Sequence, residues 1–162
     1  MDVTVNSVTP ELFRRFPDPA ALQDAAPAEL QRILRPVTNF QQKTQYLKSL
    51  SRQLMERHGG EVPGTMEELV AMPGVGRKTG GTVLSVCFGQ PAIIVDTHFS
   101  RVSLRLGLTR SERPEVIEKD LAAITPREEW TAVSNVLNRF GRAVCHAHRP
   151  ECAACPVHDF CE

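Results

Sequence analysis

Apolar residues recur along this chain at spacings of three and four, and almost nowhere in strict alternation, which is the signature of helices. Thr9-Pro10 and Asp18-Pro19 each read as an N-cap followed by proline at the first helical position. Pro27 opens a further short helix that Pro36 ends. Leu47, Leu50 and Leu54 mark one face of a long helix that Asn39 can cap and Gly59-Gly60 stop. Thr65-Met66-Glu67-Glu68 is a capping box for a short helix leading into a glycine-rich hairpin. From Lys78, the set Val83, Leu84, Val86, Cys87 and Phe88 predicts a helix buried on most sides. Ala92-Ile93-Ile94-Val95 has strand propensity but is short and partnerless, so a buried extended connector is expected. Asp96 then begins a helix through Leu106 closed by Gly107, and residues 114–123 form another. Thr125-Pro126-Arg127-Glu128 is a second capping box, opening a helix to Phe140. The pattern predicts an all-α fold of two helical lobes joined near residues 89–96.

With 162 residues the chain can bury one good core or two small lobes, and 41% hydrophobic with 23% charged residues is ordinary for a soluble globular protein. No apolar run approaches the roughly 20 residues of a membrane span. The start, Met1-Asp2-Val3-Thr4-Val5-Asn6, lacks the basic and apolar regions of a signal peptide. A cytoplasmic protein with reduced cysteines is expected. The formal net charge is zero, which lowers the prospect of nucleic-acid binding without removing it. Backbone amides hold phosphates without any side-chain charge.

The richest chemistry lies in Met72-Pro73-Gly74-Val75-Gly76-Arg77-Lys78-Thr79 and in Val95-Asp96-Thr97-His98. Glycines at 74 and 76 are expected to turn the backbone with positive φ and to leave it open to a ligand. A helix beginning near Lys78 would present free amides and a positive dipole end to an anion at the hairpin. An amine held there is a candidate nucleophile. Asp96 is an excellent helix cap, and a cap fixes a carboxylate rigidly, so the structural and catalytic readings are compatible. Cys145, Cys152, Cys155 and Cys161 are spaced C-x6-C-x2-C-x5-C. In a reducing compartment such a cluster binds metal more readily than it forms disulfides, and its spacing leaves a single zinc or an iron–sulfur cubane open. His146, His148 and His158 read as surface or phosphate-facing residues. The fifth cysteine, Cys87, reads as a small buried core residue.

Together these segments resemble the endonuclease III family of helix-hairpin-helix DNA glycosylases. Weaker matches are Asp2-Val3-Thr4-Val5-Asn6, Gly60-Glu61-Val62-Pro63 and Gly141-Arg142. The resemblance runs over essentially the whole chain. It implies a helix-hairpin-helix glycosylase fold, with a helical barrel lobe (1–91, hairpin at 72–78) and a smaller helical lobe (92–162). It also implies a [4Fe–4S] cluster held by Cys145, Cys152, Cys155 and Cys161 in the loop 145–161. Lys78 falls on the family's nucleophile and Asp96 on its essential carboxylate. DNA contacts are expected from Pro73, Gly74, Val75, Gly76, Arg77, Thr79 and Asn39. The implied activity is base excision repair: a bifunctional glycosylase and abasic-site lyase acting on oxidised pyrimidines in duplex DNA. A monomer is expected, nucleoid-associated if the source is bacterial. Arg142 and Arg149 are expected to offset the charge of the cluster and its thiolates.

The resemblance also implies two departures. Family members carry about 40 further residues before the segment at which this sequence starts, so an N-terminally truncated chain is expected. Where the family shows Gly-Leu-Tyr, this chain has Thr38-Asn39-Phe40, replacing an apolar wedge by a polar residue. The alternative reading is therefore a catalytically impaired, truncated DNA-binding iron–sulfur protein.

Overall fold

Helix formation starts earlier than the Thr9-Pro10 signal predicts. In the computed structural model, which describes residues 2–161, α1 spans Asp2–Arg15 and carries Pro10 in its interior. A proline there leaves the Asn6 carbonyl without its helical donor. The Thr9 hydroxyl donates to that carbonyl at 3.5 Å, so the residue expected as a cap fills the gap instead.

Contacts divide the chain into two compact units, Met1–Gly76 and Arg77–Glu162. In the first, α2 (Pro19–Asp24) and α3 (Pro27–Leu34) begin on the prolines that the sequence marks. Asp18 caps α2, accepting from the Ala21 amide at 2.8 Å. α4 (Phe40–His58) packs against both. Its Lys48 donates to the Gln23 carbonyl at 2.9 Å and also to that of Ala25, serving the end of α2. Asn39 stands at the N-cap of α4 as expected, but in the left-handed conformation and with no side-chain cap bond. Gly59, at φ 62°, and Gly60 close α4 by donating to the Leu54 carbonyl. α5 (Met66–Val70) has its predicted cap, the Glu68 amide donating to the Thr65 hydroxyl at 3.3 Å. Val8, Leu12, Phe16, Leu30, Ile33 and Leu34 form the core of this unit.

The second unit comprises α6 (Arg77–Cys87), α7 (Thr97–Arg105), α8 (Pro114–Ile124) and α9 (Trp130–Ala143). It begins upstream of the 91/92 boundary expected from the sequence because α6 lies on residues 92–94. A methyl group on Gly81 would sit 3.5 Å from Ile94 and 3.6 Å from Ala92. The buried face of α6 is thus Gly80, Gly81 and Leu84. This corrects two expectations: Val86 is 76% and Phe88 41% exposed, and Cys87 is exposed as well. Apolar residues on successive positions cannot all face one side of a helix, and the glycines set which side packs. The second capping box also fails. A 3-10 turn, Arg127–Glu129, precedes α9, and neither element has a side-chain cap. Thr125 instead accepts the Trp130 indole on its carbonyl at 3.0 Å.

Phe99, Val102, Ile117 and Leu121 form the buried centre of this unit. Among the described residues every regular element is helical, which makes the fold all-α. No described helix is long and apolar enough to cross a membrane.

Candidate active site

Residues 92–95 lie outside any helix with Ala92, Ile93 and Val95 buried, and no strand among the described residues is there to pair with them. Their backbone polar groups need partners in the interior. α9 supplies them from hydroxyls one turn apart. The Ala92 amide donates to Thr131 Oγ1 at 3.3 Å, and the Ile94 amide donates to Ser134 Oγ at 2.9 Å. Helix α9 therefore takes the place of a neighbouring strand and sets where the segment ends, which is at Asp96.

Asp96 caps α7 with one carboxylate oxygen. Its Oδ1 accepts the His98 amide at 3.0 Å and the Phe99 amide at 2.8 Å. Its Oδ2 accepts from Nδ2 of Asn138, again on α9. α7 and α9 cross tightly here, with Gly141 against the His98 backbone. Arg101 of α7 ties the same crossing, donating to the Gly141 carbonyl at 2.7 Å and to the Cys145 carbonyl at 3.0 Å.

Lys78, in the first turn of α6, lines one cavity together with Asp96, Ser134, Asn135, Asn138 and Arg142. An exposed amine and a rigidly held carboxylate thus share a polar recess within one unit. Such a pair suits attack on an electrophilic carbon with charge stabilisation beside it.

The other expected contacts are distributed differently. Asn39 lines a cavity of the first unit with Pro73, Gly74 and Val75. Gly74 has φ +77°, and a methyl group there would lie 2.8 Å from the Tyr46 ring, so glycine is required on both counts. Gly76 does not share that conformation, correcting the expectation of positive φ at both glycines. It faces open space, which leaves the backbone approachable. The Arg77 guanidinium pairs with Glu118 of α8, its Nε donating at 2.8 Å, and so clamps α6 to α8. Thr79 is exposed.

Cys145, Cys152, Cys155 and Cys161 all line a single cavity whose remaining wall includes Leu106, Phe140, Val144 and Val157. No three Cys, His, Asp or Glu side chains among the described residues converge as a single-ion site would require. Arg105 of α7 donates to the Cys145 sulfur at 3.3 Å and to the His146 carbonyl at 2.8 Å, while the Cys161 thiol donates to the Arg105 carbonyl at 3.3 Å. Arg105 thus places a cation on the Cys145 sulfur, and it is a residue the sequence reading did not single out. Arg142 lines the Lys78 cavity, and Arg149 is exposed with φ 54°.

Thr131, Ser134 and Asn138 were also missed. Their signal is a polar stripe at helical spacing on the inward face of an amphipathic helix, where apolar residues are the rule.

Comparison with known proteins places this geometry in a lineage. The family model described as HhH-GPD superfamily base excision DNA repair protein matches residues 1–127. The chain is 42% identical to endonuclease III of Bacillus subtilis, over 99% of this chain and 74% of the relative. It is 41% identical to that of Synechocystis sp., with the same coverage. A solved endonuclease III–DNA covalent intermediate superposes with a TM-score of 0.95 at 39% identity, covering 100% of this chain and 76% of that one. A thermostable thymine-DNA glycosylase, at 23% identity and a TM-score of 0.85, shares the fold, covering 98% of this chain and 75% of its own. With its hairpin, its Lys78–Asp96 cavity and its cysteine loop in this frame, the chain belongs to the endonuclease III family of HhH-GPD base excision DNA repair proteins.

Proposed function

We propose that this protein is a base excision repair enzyme with two linked activities, a DNA N-glycosylase and an abasic-site lyase, acting on oxidised pyrimidines in duplex DNA. The observation that carries this reading is the common cavity of Lys78 and Asp96. Lys78 as a neutral amine attacks the sugar C1′ and displaces the damaged base, and cleavage of the C1′–O4′ bond, with a proton passing from the amine to O4′, opens the sugar to a Schiff base. Loss of a proton from C2′ and of the 3′ phosphate then cuts the strand by β-elimination. Asp96 stabilises the positive charge developing on the sugar and assists proton transfers at Lys78. The base reaches this chemistry by flipping from the stack, at a cost of a few kcal/mol that damage reduces.

The amides around Gly74 and Gly76 hold a phosphate, those of Met72 and Val75 being engaged by the Leu69 and Met72 carbonyls, and this positions DNA without reading its sequence. Asn39, Pro73, Gly74 and Val75 share a cavity and are assigned to the DNA side of the first unit. Arg77, engaged with Glu118, contributes through its backbone instead of its charge. A monomeric, cytoplasmic enzyme fits this substrate.

The donor set at 145–161 fits a [4Fe–4S] cluster. Four soft thiols lining one cavity suit iron–sulfur coordination. Cys145, Cys152, Cys155 and Cys161 would hold it, and when bound it supplies cross-linking of the C-terminal loop. Arg105 offsets part of the thiolate charge.

Borohydride reduction in the presence of an abasic duplex tests the reading. Wild type should form a covalent protein–DNA complex and Lys78→Ala should form none. If wild type traps no more than Lys78→Ala, the lyase reading is wrong. A protein that retains duplex DNA and iron yet traps nothing would instead be the impaired DNA-binding form.

A further inference from the structure

The Asp96 carboxylate is held from two directions. Oδ1 is saturated by the two amides of its own helix, at 3.0 and 2.8 Å. Those bonds cap α7 and engage only one of the two carboxylate oxygens. Oδ2 receives a third donor, the side-chain amide of Asn138. Only the nitrogen of that amide can face an ionised carboxylate, so the orientation of Asn138 is fixed by its partner.

The donor stands on a rigid base. Thr131 and Ser134 lock α9 to the backbone at 92 and 94, and Gly141 lies against His98. Within this stripe Thr131 and Ser134 spend their polar groups on main chain, whereas Asn138 spends its own on the Asp96 side chain. Asn138 and Asp96 both line the cavity that holds Lys78.

We infer that Asn138 is a positioning residue: it occupies one lone pair of Asp96 Oδ2 and so fixes the direction in which the remaining lone pair meets the substrate sugar and the Lys78 amine. This deepens the proposed lyase and glycosylase reading and rests on it. A carboxylate aimed from a rigid donor acts at the moment charge develops without first reorienting. Its effect belongs in the rate of the chemical step and not in DNA affinity.

The test compares wild type, Asn138→Leu and Asn138→Gln. Two quantities are measured: the maximal rate of borohydride-trapped imine formation on an abasic duplex, and the dissociation constant for the same duplex. Asn138→Leu should lose about tenfold in maximal rate with its dissociation constant unchanged. Asn138→Gln, which keeps a donor amide, should recover most of that loss. If Asn138→Leu fails to fold, Asn138→Ala carries the same comparison. Equal maximal rates for wild type and the variant lacking the amide overturn the inference. So does a loss that glutamine does not recover, or one that appears in affinity instead of rate. A wild type that traps nothing fails the lyase reading itself, a result distinct from each of these.

Discussion

Gly141 of α9 and His98 of α7 approach so closely that a methyl group at 141 would lie 3.0 Å from the His98 Cβ and 3.1 Å from its carbonyl oxygen. The same methyl would meet Val102 at 3.1 Å. The backbone contact cannot relax by turning a side chain, so the two helices must part. Gly141→Ala should therefore lose about 1–3 kcal/mol of stability, even though alanine is the better helix former. Denaturant unfolding measures this directly, and a Gly141→Ala protein as stable as wild type would show that the crossing is looser than described.

Asn39 makes a second prediction, from its φ of 57°. Asparagine tolerates the left-handed region, glycine is at ease there, and a leucine is strained. Asn39→Gly should stay within about 0.5 kcal/mol of wild type, while Asn39→Leu should lose about 1–2 kcal/mol. If Asn39 limits base extrusion, Asn39→Leu should still raise single-turnover base removal relative to abasic trapping. Thermal melting and a gel assay of released strand separate the two effects. A leucine variant at least as stable as the glycine one would show that the turn does not hold its left-handed form.

The cysteine loop gives a third. Purified protein should be brown and contain about four irons per chain, and Cys155→Ser should lose the iron together with the visible absorption. The loop 145–161 should then become sensitive to protease, because its order rests on the bound group. A colourless wild type carrying one zinc per chain would reverse the assignment.

The sequence reading succeeded where the physics is local. Asp18, Thr65 and Asp96 each cap the helix they announce, because a side-chain acceptor two or three residues ahead of free amides needs no help from the rest of the chain. The burial of Ala92, Ile93 and Val95 was also legible from composition alone. It failed where a distant partner decides. Thr9 looks like a cap and turns out to serve the carbonyl that Pro10 leaves unpaired. Cys87 looks buried by its neighbours, but Gly80 and Gly81 choose the other face of α6. At the site, Lys78 and Asp96 stood out through their motifs. Asn138 did not, since its meaning comes from a carboxylate 42 positions away.

Ala92 and Ile94 are held by α9 through their amides and the Ala92 carbonyl, atoms common to nearly all residue types. The identity of the side chains at 92 and 94 does not enter those bonds. The hydroxyls at 131 and 134 do enter them. The placement of the carboxylate is inherited through a helix some forty residues downstream, and substitutions there are the ones by which a lineage would lose it.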